Sequence, residues 1–173
     1  MPTTQETSDP RKESFAYQLD LLKMEIEIID KAIARLDDIT QTTKNFAIII
    51  WVGLITVAFA DPDFRQYTIF TALVPLLFWV LDARWRYFLR GFIFRQDKIA
   101  EFLNSENLVE SFAENRLIGI KVLDPRGALY RKTDEFKETV NFWRSMRYSE
   151  VNIVYIGLSL ASIVAGTVAL LAQ

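Results

Sequence analysis

From Phe15 to Leu36, apolar residues return at alternating steps of four and three: Phe15, Leu19, Leu22, Ile26, Ile29, Ile33 and Leu36. That is a 3.5-residue period, the seam of a coiled coil. A second stripe lies beside it: Tyr17, Leu21, Met24, Ile28, Ala32 and Ile39. A helix with two apolar seams has two neighbours, so a simple two-stranded coil would leave one seam wet. The first seam, Leu19 to Leu36, is therefore expected to join copies of the chain. No Pro or Gly precedes Gly53 in this helix, so it runs straight into Phe46–Ala60, FAIIIWVGLITVAFA, which carries no charge. Lys44 to Ala60 reads as a first membrane span. It is short against the roughly 20 residues that cross hydrocarbon, and Thr42, Thr43 and Asn45 extend it.

Asp61-Pro62-Asp63-Phe64-Arg65-Gln66 is a turn signal. Pro62 ends the first helix, and Asp61 or Asp63 can cap the next. A second span follows over Tyr67 to Leu81, with Pro75 expected to kink it. The helix then continues amphipathically to Leu103. Trp79, Trp85, Tyr87 and Phe88 fit an interfacial aromatic belt, and Arg84, Arg86 and Arg90 its basic flank. Asp82, four residues before Arg86, is expected to pair with it.

Asn104-Ser105-Glu106-Asn107 breaks the pattern. A short helix is expected over Leu108 to Asn115, then irregular chain to a turn at Asp124-Pro125-Arg126-Gly127. Thr133 reads as an N-cap. The last helix carries Phe136, Val140, Trp143 and Met146 and is expected to run unbroken into the third span. That span, Val151 to Ala172, has 22 uncharged residues.

The chain thus divides into a polar tail over 1–13, expected to be disordered, and a coiled-coil-like cytosolic helix over 14–43. A two-span transmembrane hairpin over 44–82, a cytosolic helical region over 83–149 and a third transmembrane helix over 150–173 follow. The fold class is an all-α integral membrane protein, with three transmembrane helices whose long cytosolic extensions form a bundle. Six Lys/Arg precede the first span, Arg65 stands alone in the hairpin turn, thirteen lie from Arg84 to Arg147 and none follows. By the positive-inside rule the N-terminus is expected to be cytosolic and the C-terminus outside, and the expected location is a bacterial inner membrane.

Composition narrows the chemistry. The chain has no Cys and no His, and its net charge is −2. Thiol nucleophiles, disulfides, His bases and the usual zinc sites are excluded, while carboxylate-only metal sites stay open. No base of matched pKa stands beside a nucleophile in a recognisable frame, so no enzyme and no cofactor are expected, and the balanced charge points to no nucleic acid.

Four constellations remain. Gly157, Ala161, Ala165 and Ala169 recur every four residues in the third span, with Ser162 and Gly166 on a neighbouring row. Such stripes let helices approach closely in lipid. The alternative is a narrow conduit with Asn152, Ser159, Ser162 and Thr167 as its polar points. Asp61 and Asp63 either cap a helix or form an acid ring at a pore mouth. Arg84, Arg86 and Arg90 could meet anionic lipid headgroups. Lys121 and Arg126, around a Gly-containing turn, could meet a small anionic signal.

The layout of the Ser14–Thr40 helix, the close hairpin around Asp61-Pro62-Asp63 and the helix from Asp82 to Leu103 resembles the SLATT group of small membrane effectors in bacterial conflict systems. The resemblance covers roughly the first 100 residues, and the third span departs from a two-span plan. It implies a pore or membrane-disrupting effector controlled from the cytosolic side. The expected function is an oligomeric channel or pore-forming protein, bound by membrane lipids and gated by its cytosolic bundle. The alternative is a non-conducting scaffold that docks a cytosolic protein.

Overall fold

The computed structural model describes residues 9–171, and of 149–151 only the backbone. The described residues are almost wholly helical and form no strand. Helix α1 covers Pro10–Ala60, a 3-10 segment Pro62–Ala72, α2 Leu73–Leu103, α3 Glu106–Glu114, α4 Asp134–Thr139, α5 Phe142–Met146 and α6 Ser149–Leu171, with a 3-10 turn at Ala128–Tyr130. Residues 1–8 of the expected tail lie outside the described residues. Pro10 to Glu13 are helical, because Asp9 accepts from Arg11 N–H (3.0 Å) and Pro10 fits a first helical position.

Three helices are long and apolar enough to cross a membrane: Pro10–Ala60, Pro62–Leu103 and Asn152–Leu171. Their most apolar stretches are only 17%, 22% and 28% buried by the protein itself. A water-soluble core would cover such stretches, so their exposure is consistent with a membrane protein.

The chain forms two compact units, Met1–Ile33 with Arg90–Thr139 and Ala34–Leu89 with Val140–Gln173. In the first, Leu22, Ile29, Ile99, Phe102 and Ile120 make the core, with Ile26 and Ile33 packed on it. Leu22 and Ile29 are 3% and 1% exposed. The heptad seam is therefore filled from the same chain and not by a second copy. Leu19 is half-buried, and Leu36, in the other unit, is buried. The neighbouring stripe stays uncovered at Tyr17, Met24 and Ile28.

Local signals set the rest of this unit. Gly127 N–H donates to Asp124 O (2.9 Å), closing the expected turn. Gly127 takes φ 61°, and a Cβ there would meet the Phe94 and Phe136 rings at 3.2 and 3.3 Å. Those rings pack edge-on, 5.1 Å apart. Thr133 Oγ1 accepts from Phe136 N–H (3.3 Å), so α4 starts at the expected cap.

The second unit corrects two expectations. The second span does not begin as an α-helix with a kink at Pro75. Residues Pro62–Ala72 are 3-10, and α2 starts at Leu73, which places Pro75 in its first turn. There the missing N–H costs nothing, whereas inside an α-helix the ring would clash with the carbonyl of Thr71. Thr68 and Thr71 hydroxyls donate to Arg65 O (2.8 Å) and Thr68 O (2.7 Å), three residues back.

Nor does the third span continue an unbroken helix. Asn141 is extended and its side chain accepts from Trp143 and Arg144 N–H, which starts a separate α5. Trp79 Nε1 donates to Met146 O (3.2 Å), using a carbonyl that a continuing helix would need.

Candidate functional site

The buried face of α6 is a row of small and polar residues. Asn152, Tyr155, Ser159, Ser162, Gly166 and Ala169 follow at steps of three and four, one face of an α-helix. Tyr155 and Ser162 are fully buried, Ser159 and Ala169 nearly so. Trp51 Nε1 donates to Ser162 Oγ (2.7 Å). A Cβ on Gly166 would lie 2.8 Å from Ile69 N and 2.9 Å from its Cα. Gly166 thus lets α6 press directly on the 3-10 backbone.

Of the expected stripe, Ser159, Ser162, Gly166 and Ala169 face the interior. Gly157 and Ala161 are exposed, Ala165 is half-buried, and nothing lies within 4 Å of a Cβ on Gly157. The stripe of fours therefore splits, because a four-residue step drifts around the helix while the packing face keeps the average of 3.6. Thr167 is exposed and its hydroxyl donates to Ile163 O (2.8 Å).

Asp82 lies at the base of this row, at the end of the apolar part of α2, with no exposed surface. Arg86 Nε stands 3.8 Å from Asp82 Oδ1, beyond hydrogen-bond range. The expected pair therefore exists as a charge contact only. Tyr155 faces Asp82 across the helix interface, and Lys44 of α1 stands within electrostatic reach of it. Among the described residues, the buried side-chain atoms without a hydrogen-bond partner are both Asp82 oxygens, Arg86 Nε, Asn152 Oδ1, Tyr155 OH and Ser159 Oγ. All belong to this unit, and buried polar groups are elsewhere almost always paired.

The first unit holds a contrasting buried charge pair that the sequence pattern did not single out. Arg95 donates from Nε to Glu25 Oε1 (2.7 Å) and from Nη2 to Glu25 Oε2 (3.2 Å), and both residues are fully buried. Arg95 also donates to Lys121 O and to Tyr130 OH, while Glu25 accepts from Leu123 N–H (2.7 Å) and Asp124 N–H (3.2 Å). The pair clamps the irregular stretch before the 124–127 turn. Its signal is the spacing: Glu25 lies three residues after Leu22 and four before Ile29, beside the seam residue Ile26, and Arg95 lies four before Ile99.

The other candidates are dispersed. Asp61 caps the 3-10 segment, accepting from Asp63 N–H (2.9 Å), and both acids are exposed. Arg84 sits over the Phe88 and Tyr87 rings at 4.8 and 5.6 Å. Lys121 enters the clamp through its carbonyl, with its side chain exposed, and Arg126 O lies 3.4 Å from a Cβ on Gly91. Arg90, Lys121 and Arg126 belong to the first unit, Arg84 and Arg86 to the second. Among the described residues, no group of three or more Asp or Glu could hold a metal ion.

No family model matches the chain, and no curated protein or solved structure resembles it.

Proposed function

We propose that the protein is an oligomeric channel or pore-forming membrane protein, gated through the helical unit outside the apolar spans. One observation carries this reading: Asp82 is fully buried among apolar helices, and neither of its oxygens has a hydrogen-bond partner. Ionisable groups at such positions are costly and usually mark an ion path or a relay. The Asp61-Pro62-Asp63 turn would lie at the outer mouth. On the resemblance to conflict-system effectors, such a conductance would serve defence.

A scaffold is the second reading. Tyr17, Met24 and Ile28 leave an apolar stripe exposed on the first unit, away from the uncharged part of α1, as a docking face would.

Ion flux from liposomes holding the purified protein, measured beside its oligomeric mass in detergent, tests the choice. Flux from a defined oligomer, reselected by Asp61→Asn with Asp63→Asn, supports the channel and its mouth. A defined oligomer silent to every ion under voltage supports the scaffold.

A further inference from the structure

The unpaired oxygens in the second unit form a series. Asp82 faces Tyr155, and Asn152, Tyr155 and Ser159 share one face of α6, while Ser162, next on that face, is already bonded to Trp51 and to Leu158 O. Successive members are three or four residues apart, a rise of about 4.5–6 Å, which one water can bridge. From Asn152 to Ser159 the row covers about 10 Å, a third of the roughly 30 Å of hydrocarbon. It then reaches Gly166, where the α6 backbone lies against Ile69 with no room for a methyl group.

The groups beside the row discriminate between ions by the ligands they offer. Arg86 on α2 and Lys44 on α1 both face Asp82, and Tyr155 is the titratable group that α6 presents to it. An alkali cation would need several oxygens at one level to replace its water, and the row offers only one or two. A proton instead bonds covalently to one carboxylate oxygen and needs no shell of ligands.

We infer that the conducted ion is the proton, and that Asp82 with the α6 row of Tyr155 and Ser159 is its path within a single subunit. This inference rests on the channel reading. A hydronium ion from the basic end gives its proton to an Asp82 oxygen, forming one O–H bond and leaving water. Asp82 then passes the proton across water to the Tyr155 hydroxyl, which releases its own proton to the next acceptor. Ser159 repeats the exchange, each hydroxyl taking one proton and losing one, so no group is consumed. The contact of Gly166 with Ile69 closes the far half of the path, and conduction requires α6 to move off the 3-10 segment.

The test uses the full chain in liposomes with an internal pH-sensitive dye and a potential set by a potassium gradient with valinomycin. Wild-type protein should take up protons under voltage. Asp82→Asn, which cannot be protonated in this range, should lower that flux roughly tenfold or more, and Asp82→Glu should retain most of it. Ser159→Ala should lower it severalfold, and it carries the test if Asp82→Asn fails to reconstitute at the wild-type oligomeric mass. Proton flux unchanged in either variant overturns the inference. Flux of potassium or chloride without protons overturns it while leaving the channel reading standing. Silence to every ion overturns the channel reading itself.

Discussion

The two units of this chain are built with opposite insides. The first buries Leu22, Ile29, Ile99 and Phe102, while Lys23, Glu27 and Lys31 lie outside. The second buries Thr43, Ala47, Thr68, Ala72, Ser162 and Gly166, while Ile49, Leu77, Ile153 and Val164 lie outside, each more than 60% exposed. Water expels large apolar groups, and the core of the first unit follows that rule, although Tyr17, Met24, Val109 and Phe112 stay exposed. Hydrocarbon gives no such drive, so helices in it pack through small residues and leave large apolar ones outward. That contrast is consistent with a first unit facing water and a second facing a membrane.

Their buried charges differ in the same way. Glu25 and Arg95 satisfy one another and four further groups, whereas Asp82 and Arg86 touch without a hydrogen bond. The first pair is a clamp, and the second is a site left incomplete by the helices around it.

The sharpest way to break this contrast is to remove one partner of the clamp. Arg95→Ala leaves Glu25 buried and uncompensated, at an expected cost of about 3–5 kcal/mol. Amide exchange should then rise across residues 117–131 while α6 stays protected. Equal loss in both units would refute the division.

Leu22→Ala, in the same core, should cost about 2–5 kcal/mol by opening a cavity, yet Met24→Ala on the exposed stripe should leave thermal stability unchanged. If Met24→Ala melts the protein as far as Leu22→Ala does, the assignment of the two seams is wrong.

In the second unit, Gly166→Val forces a side chain into the Ile69 backbone and should cost about 1–3 kcal/mol. Gly157→Val points into open space and should leave detergent melting curves where they were. Asp82→Asn removes a charge that makes no hydrogen bond, so its stability should move by no more than about 1 kcal/mol. A loss as large as that of Arg95→Ala would mean that Asp82 is a second clamp.

The smallest effect belongs to Lys98, whose amine lies 2.8 Å from Glu101 and 2.9 Å from Glu135. The hydrogen bonds to Glu101 and Glu135 raise its pKa above the ordinary 10.5. Their stabilisation is fully present below that pH and is lost as pH rises through the raised value. With both carboxylates well exposed, Lys98→Met should cost under about 1 kcal/mol, read as a shift in chemical denaturation at pH 7 that vanishes in strong alkali.

What the sequence determined by itself is what depends on neighbours along the chain. The uncharged stretches after Asn45 and Glu150, the break at Asn104, the Asp124–Gly127 turn and the Thr133 cap each rest on a few adjacent residues, and each stands where the pattern put it. The tertiary structure alone decided what meets what. A seam of period 3.5 states that a helix has a neighbour, but Ile99 and Phe102 of the same chain supply the same apolar surface as a second copy would. Pro75 announces a disturbance, but that it heads an α-helix after a 3-10 run, which packs against Gly166, is seen only in the fold. Glu25 and Asp82 are each a lone acid beside apolar residues in the sequence. One became a clamp and the other did not because only folding brings Arg95, Leu123 and Asp124 around the first, and sets Arg86 3.8 Å from the second with Tyr155 facing it.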